Sequence, residues 1–96
     1  MDFVITCLDK PGSLALRTAN RPAHLDYLKA AGVALKLAGP MLSEDGQPIG
    51  SVLVVEAADA AGARAFADED PYAKAGLFER VTIRPFRPVL GTWVGG

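Results

Sequence analysis

The chain has 96 residues, a length that suits one domain and leaves no room for a second independent core. Half of the residues are apolar and 22% are charged, which is too apolar for a disordered chain and too interrupted by charge for a membrane protein. Eleven acidic residues against ten basic ones give a net charge of −1, so the sequence lacks the basic surface that nucleic-acid binding requires.

Cysteine and histidine are too scarce for a structural metal site. Cys7 is the sole cysteine and His24 the sole histidine, so one chain can assemble neither the usual zinc ligands nor an internal disulfide. The first residues lack the basic segment that opens a signal peptide and run directly into strand-like sequence. We therefore expect a single cytoplasmic domain over residues 1–96, without disulfide, metal or membrane anchor.

The spacing of apolar and turn-forming residues predicts the element order β-α-β-β-α-β. Residues 2–8 are β-branched and aromatic over the length of a strand. Helical spacing follows, but Pro22 removes a backbone donor, so we expect two helical pieces, the second starting near Pro22 and ending at Gly32. That break would place His24 in a first helical turn. The remaining predicted elements are strands over 33–42, 51–56 and 78–86 and a helix over 60–68 that Asp59 caps.

This order is that of the α+β ferredoxin-like fold, a four-stranded antiparallel sheet with its helices on one face. Neighbouring strand residues such as Val4 and Ile5, or Val52 and Leu53, are all apolar, so both faces of the sheet need cover. The helices cover only one face. An apolar sheet face of roughly several hundred Å² marks an interface, and we predict a homodimer packed sheet to sheet.

His24 is the first place to look for acid–base chemistry, because histidine ordinarily gains and loses its proton near neutral pH. Asp70 is the candidate carboxylate that would orient it, since the start of the first helix and the exit of the second can reach one rim of the sheet. Each residue also has a simpler interpretation. His24 could hydrogen-bond a neighbouring loop, and Asp70, directly before Pro71, could cap a short helical turn.

Asp70 could fill both roles if one carboxylate oxygen capped the helical turn and the other bonded the imidazole of His24. The charge of His24 stays open at this point. A first helical turn favours the neutral imidazole, whereas an ionised Asp70 favours the imidazolium.

Other chemistry has less support. Arg17 and Arg21 flank the histidine and could hold an anionic substrate, although solvated helix positions explain them equally well. Cys7, in apolar company, is interpreted as a buried small hydrophobic residue rather than a reactive thiolate. Glycine-rich nucleotide motifs are absent, so no nucleotide cofactor is implied. The Gly-x-Ser-x-Gly setting of a serine nucleophile surrounds none of the three candidates Ser13, Ser43 and Ser51.

Several motifs in order resemble the YCII-related (YciI-like) proteins. They are Asp9-Lys10-Pro11-Gly12-Ser13-Leu14, Arg21-Pro22-Ala23-His24-Leu25, Ala38-Gly39-Pro40 and Asp70-Pro71-Tyr72, followed by a last strand over 81–86. The resemblance covers nearly the whole chain. It implies a ferredoxin-like fold that dimerises as an α+β barrel, and an active site built around a histidine and an aspartate, here His24 and Asp70.

The same resemblance implies acid–base chemistry without a cofactor, of the isomerase, lyase or dehydrochlorinase kind, on a small polar organic substrate. Arg17, Arg21 and Tyr72 are then the candidate substrate-binding residues, and no metal is involved.

Two other classes stay open. Residues 9–15 also resemble the opening of ACT domains, ligand-sensing modules with the same element order, although a helix broken at Pro22 and the Asp-Pro-Tyr segment fit them poorly. A purely structural dimerisation domain is the second alternative, and it would need no cleft beside His24. An RNA-recognition module is excluded, because strand residues 51–55 lack stacking aromatics.

Overall fold

The structure is a computed structural model that describes residues 1–94. Four strands form one sheet in the order β2-β3-β1-β4, with every neighbouring pair antiparallel. This arrangement confirms the α+β ferredoxin-like fold. The elements in chain order are β1 (Asp2–Asp9), α1 (Leu14–Ala30), β2 (Leu35–Leu42), β3 (Pro48–Glu56), α2 (Ala60–Glu69), α3 (Pro71–Lys74) and β4 (Phe78–Phe86), with 3₁₀ turns at Gly32–Ala34 and Thr92–Val94.

The core lies between the helices and one face of the sheet. Phe3 pairs with Val55 and Ile5 with Leu53 across β1 and β3, and all four side chains are buried. Because side chains alternate across a strand, these residues share the face that the helices cover. The helical residues that close the core are Leu28 of α1 and the small Ala63 and Ala67 of α2.

Helix α1 is continuous from Leu14 to Ala30, with Pro22 inside it, so the predicted break at Pro22 was wrong. Pro22 lies on the exposed side of the helix, where water can bind the carbonyl that the missing N–H leaves free. The buried side of the helix is carried by Arg17, His24 and Leu28. Burying that side stabilises the helix enough to offset a proline cost of about 3 kcal/mol.

The unbroken helix changes two expectations. His24 lies in the middle of α1 rather than in a first turn, so the positive end of the helix dipole, which acts within one turn, does not favour the neutral ring there. The objection to an ACT-like module that rested on a broken helix also disappears.

Both predicted caps are present. Asp59 accepts the backbone N–H of Gly62 at 2.8 Å, and Asp70 caps α3 through the N–H of Tyr72. Strand β3 starts at Pro48, three residues before the predicted start at 51, because its ladder with β2 continues to the pair Leu42 and Pro48. Among residues 1–94, no helix is long and apolar enough to cross a bilayer.

The outer face of the sheet has an apolar patch on β1, β2 and β3, as the strand pattern predicted, whereas β4 places Arg80, Thr82 and Arg84 on this face. Val4 and Val52 on this face are half-buried, and Leu37 and Phe86 are exposed. The chain after β4 borders this face, and the two enclose a cleft of about 790 Å³ that includes the exposed Trp93.

The sheet-to-sheet homodimer stays a prediction. Sedimentation equilibrium checks it: we expect a dimer mass that falls on dilution, and a monomer mass at every concentration would contradict it.

Candidate active site

A cleft of about 380 Å³ opens beside α1, between the β2–β3 hairpin and α3. Its polar lining consists of Arg17, Thr18, Arg21, His24, Ser51 and Tyr72, and its apolar walls include Leu25, Leu28, Ala38, Pro40 and Leu53. The larger cleft on the outer face has Lys36 as its only ionisable lining residue among those described. Convergent polar groups on an apolar wall are typical of a small-molecule site, so the smaller cleft, named here the His24 cleft, is the candidate.

His24 and Asp70, separated by 46 residues in sequence, meet at this cleft. The imidazole nitrogen Nδ1 of His24 lies 2.9 Å from Oδ1 and 3.0 Å from Oδ2 of Asp70. Oδ1 of Asp70 also accepts the backbone N–H of Tyr72 at 2.9 Å. Asp70 therefore caps α3 and orients the imidazole at the same time, so its two interpretations hold together.

This contact determines which nitrogen of the ring faces the substrate. An ionised carboxylate only accepts hydrogen bonds, so Nδ1 carries the proton when the ring of His24 is neutral. Within residues 1–94, Nε2 has no hydrogen-bond partner. Every fully buried side-chain nitrogen or oxygen in that range has a partner, so Nε2 is not fully buried. Nε2 therefore reaches the cleft, where its lone pair can accept a proton and the protonated ring can return it.

Tyr72 stacks on the face of the imidazole, and Asp70 bonds to its edge. The rings of Tyr72 and His24 stack with centroids 3.9 Å apart and an angle of 15° between their planes. The guanidinium carbon of Arg17 lies 4.7 Å from the centroid of the same tyrosine ring, a cation–π contact. Arg17, Tyr72 and His24 therefore form one packed unit at the wall of the cleft.

Arg17 is not the solvated residue that one interpretation of the sequence allowed, because only 6% of it is exposed. Its Nε donates to Oδ2 of Asp9 at 2.7 Å, forming a buried ion pair. Its Nη2 donates to the carbonyl oxygen of Gly50 at 2.7 Å and to Oγ of Ser51 at 2.6 Å. This network fixes α1 to the ends of β1 and β3 and holds Arg17 against Tyr72.

Asp9 and Ser51 hold Arg17 at the site, and the sequence analysis gives a role to neither: Ser51 is considered only as a nucleophile and set aside, and Asp9 is not considered. The sequence does indicate a buried partner for Ser51. Ser51 lies on the same side of β3 as Leu53 and Val55, the side that faces the core, and a polar residue there needs a hydrogen-bond partner. The sequence gives no such indication for Asp9, since it also fits the turn that follows β1. Its role depends on how α1 packs on the sheet, which no local pattern states.

Arg21 lies on the exposed side of the His24 cleft. Among residues 1–94, no carboxylate lies within ion-pair distance of it. Burial raises the pKa of Tyr72, and the nearby guanidinium groups of Arg17 and Arg21 oppose that rise. The mouth of the cleft is therefore the positive part of the site. In the described part of the chain, no three His, Cys, Asp or Glu side chains come together as metal ligands would.

Cys7 is buried in the core, and burial, with smaller contributions from Asp70 and Asp9, raises the pKa of its thiol to about 12. The thiol of the unfolded chain ionises near pH 9, so between these values the unfolded chain loses a proton that the folded chain keeps. Stability is therefore lost as the pH rises. The free energy of unfolding of both proteins is compared at about pH 7.5 and about pH 10. We expect the native chain to lose on the order of 1 kcal/mol more than Cys7→Ala over this pH change.

Urea unfolding curves at the two pH values measure this difference. The Cys7→Ala variant is its own control, because it keeps every other titrating group. Equal losses in the two proteins would contradict the shifted thiol.

Known proteins share both the sequence pattern and the fold of this chain. The model of the YCII-related domain matches residues 1–87. Protein YciI of Escherichia coli is 38% identical over 98 residues, covering 94% of this chain and all of that protein. The 5-chloro-2-hydroxyhydroquinone dehydrochlorinase TftG of Burkholderia phenoliruptrix, solved with 2,5-dihydroxybenzoquinone, has a TM-score of 0.84 and 35% identity, covering 91% of this chain and 94% of that one.

The fold extends beyond these relatives. SnoaB, a cofactor-independent oxygenase of Streptomyces nogalater, has a TM-score of 0.55 with 11% identity, covering 93% of this chain and 94% of its own. At that identity the likeness concerns the fold alone. TftG is a small-molecule enzyme, so the fold of this chain is compatible with an enzyme of that kind.

Proposed function

The chain belongs to the YCII-related family, and we propose that it is a cofactor-independent enzyme in which the His24–Asp70 pair moves a proton on a small polar organic substrate. One observation carries the proposal. Asp70 holds Nδ1 of His24 at 2.9 and 3.0 Å, which leaves Nε2 free toward a cleft of about 380 Å³. That volume lies in the range of small-molecule sites.

The chemistry follows from the tautomer. Nε2 of the neutral ring takes a proton from an O–H or C–H group of the substrate, and the electron pair of that bond stays with the substrate. Asp70 stabilises the imidazolium that forms. In an elimination, the electron pair then expels a leaving group with its own bonding pair. In an isomerisation, the imidazolium returns the proton to another atom. Neither route needs an oxidant or reductant.

Elimination of hydrogen chloride from a hydroxylated chlorinated ring has the most support among these reactions. TftG is named for that chemistry on 5-chloro-2-hydroxyhydroquinone, and it shares 35% identity with this chain over 91% of its length. The stacked Tyr72 and the apolar walls from Leu28 and Leu53 suit a flat ring, and the Arg21 side suits its oxygen atoms. On such a ring, His24 moves a proton from one hydroxyl to the carbon that carries chlorine, and loss of a second hydroxyl proton then expels chloride with its bonding pair. One proton and one chloride leave for solvent, and a hydroxyquinone forms without an oxidant.

The alternative classes have less support. A structural dimerisation domain needs no oriented histidine, yet His24 is held at both its edge and its face and reaches a cleft. An ACT-like ligand sensor leaves Asp70-Pro71-Tyr72 without a role, whereas the proposed enzyme uses this segment to hold the ring.

Chloride release from 5-chloro-2-hydroxyhydroquinone under nitrogen tests the proposal. We expect the native chain to release chloride, and His24→Gln to lower kcat by about 10²–10⁴-fold, the usual contribution of a positioned acid or base. Lys29→Gln, an exposed change on the same helix, is the matched control and keeps the native rate. Chloride release equal to the uncatalysed rate, or equal rates in native and His24→Gln proteins, would reject the proposal.

A further inference from the structure

The hydroxyl of Ser51 has one hydrogen bond whose direction is certain. Arginine only donates, so the 2.6 Å contact between Nη2 of Arg17 and Oγ of Ser51 makes the serine oxygen the acceptor. The hydroxyl proton of Ser51 must then point elsewhere. No acceptor within residues 1–94 receives it, although Ser51 is only 3% exposed.

Ser51 lies where a molecule in the His24 cleft can accept its hydroxyl proton. Ser51 lines the His24 cleft on the β3 side, opposite the helix that carries Arg17 and Arg21. A buried hydroxyl with an unused donor is unfavourable unless a ligand or a water accepts it. The donor is therefore available to whatever occupies the cleft.

Arg17 has spare donors at the same place. Nε is used by Asp9 and Nη2 by Gly50 and Ser51, and the guanidinium also acts on the Tyr72 hydroxyl as a hydrogen-bond donor, which opposes the rise that burial causes in the pKa of that tyrosine. Arg17 lines the His24 cleft, so the guanidinium hydrogens that these four groups do not use are available to a molecule bound there. Asp9 balances the charge of Arg17, and Arg21 adds a cation with no carboxylate partner in the described chain.

We propose that the Ser51 hydroxyl, with the guanidinium groups of Arg17 and Arg21, forms a subsite for an anionic oxygen of the substrate. The inference rests on the proposed function and deepens it. The substrate is then a small ring that carries an ionised enol or phenol oxygen in addition to the group that reacts at His24. A charge-assisted O–H to O⁻ bond is among the stronger hydrogen bonds in proteins.

The subsite also orients the ring. Arg17 and His24 both contact the ring of Tyr72, so an oxygen held at Ser51 and Arg17 lies within one small molecule's length of Nε2. Two fixed points on one substrate leave a single productive orientation, which is how positioning groups raise a rate.

Two quinones of similar shape test the subsite by calorimetric titration. 2,5-Dihydroxybenzoquinone ionises to give enolate oxygens, and 2,5-dimethylbenzoquinone has methyl groups in their place. We expect Ser51→Ala to bind the dihydroxy compound about 10–100-fold more weakly than the native chain and to bind the dimethyl compound within about threefold of native. Ser51→Thr, which keeps the hydroxyl, restores most of the affinity.

A structural role for Ser51 predicts a different pattern. If Ser51 only held Arg17, Ser51→Ala would also weaken the dihydroxy compound, because Arg17 would move, and it would shift the NMR signal of the Arg17 Nε–H group, which Asp9 holds in the native chain. A selective loss of affinity with an unchanged Nε–H signal is the result that supports the subsite, and a shifted signal overturns the role of the hydroxyl. An equal effect on the two compounds overturns the subsite, as does unchanged affinity for the dihydroxy compound or no binding of it to the native chain at millimolar concentration.

The outcome is separate from that of the proposed function. Chloride release that depends on His24 would stand even if Ser51→Ala bound both quinones normally. Selective binding of the dihydroxy compound without any turnover would keep the subsite and reject the enzyme.

Discussion

We expect Asp70→Asn to lower kcat for the proposed chloride release by about 10³–10⁴-fold while leaving the fold intact. The asparagine oxygen still accepts the N–H of Tyr72 and so keeps the cap of α3. Its amide N–H₂ takes the place of Oδ2, 3.0 Å from Nδ1 of His24, where it donates to an unprotonated Nδ1 and repels an Nδ1–H. The ring proton moves to Nε2, and the cleft loses its base. The same exchange of aspartate for asparagine in a serine-protease triad has an effect of this size, because it also leaves the histidine in the wrong tautomer.

Two measurements separate this cause from a general loss of structure. Nitrogen chemical shifts of the imidazole identify the neutral tautomer, with the proton on Nδ1 in the native chain and on Nε2 in Asp70→Asn. Glu69→Gln is the matched control, because Glu69 is a neighbouring exposed carboxylate that pairs with Lys74 and does not contact His24. We expect native kcat from it. An Asp70→Asn protein with native kcat and the native tautomer would show that Asp70 does not orient the base.

More of the fold than of the site follows from local sequence patterns. Strand β4 and the caps of α2 and α3 obey local rules, since alternation predicts a strand and an aspartate before a helix predicts a cap. Pro22 misleads the prediction, because the local rule for proline counts the lost hydrogen bond and not the packing of Arg17, His24 and Leu28 on the opposite side of the helix. Tertiary burial decides that element.

The site divides in the same way. His24 and Asp70 are candidates on sequence alone, and the structure brings them into contact, but neither residue type nor spacing states a distance between groups 46 positions apart. Arg17 is a candidate only as a solvated or substrate-facing cation, because its partner Asp9 looks like part of a turn. Ser51 enters the sequence argument only as a possible nucleophile, because no local pattern shows that Arg17, 34 positions away, donates to its oxygen.

Arg17→Met lowers the free energy of unfolding by about 3–5 kcal/mol, the cost of leaving one partner of a buried ion pair without the other. Asp9 is 9% exposed and receives Nε of Arg17 at 2.7 Å, so its carboxylate would stay buried with no counter-charge. The carbonyl of Gly50 and the oxygen of Ser51 would lose their donor as well. For a domain of this size, such a loss is a large share of a stability that is ordinarily about 5–15 kcal/mol.

Urea unfolding of three further variants assigns the cost to the pair. Arg64→Met makes the same change at an exposed arginine of α2 and should alter stability by no more than about 0.5 kcal/mol. Asp9→Asn removes the buried charge alone. The double variant Asp9→Asn with Arg17→Met should recover part of the loss seen in Arg17→Met, because no unpaired charge remains in it. Two results would contradict this role of the ion pair. One is an Arg17→Met protein as stable as Arg64→Met. The other is a double variant whose loss in free energy of unfolding equals the sum of the losses in Asp9→Asn and Arg17→Met.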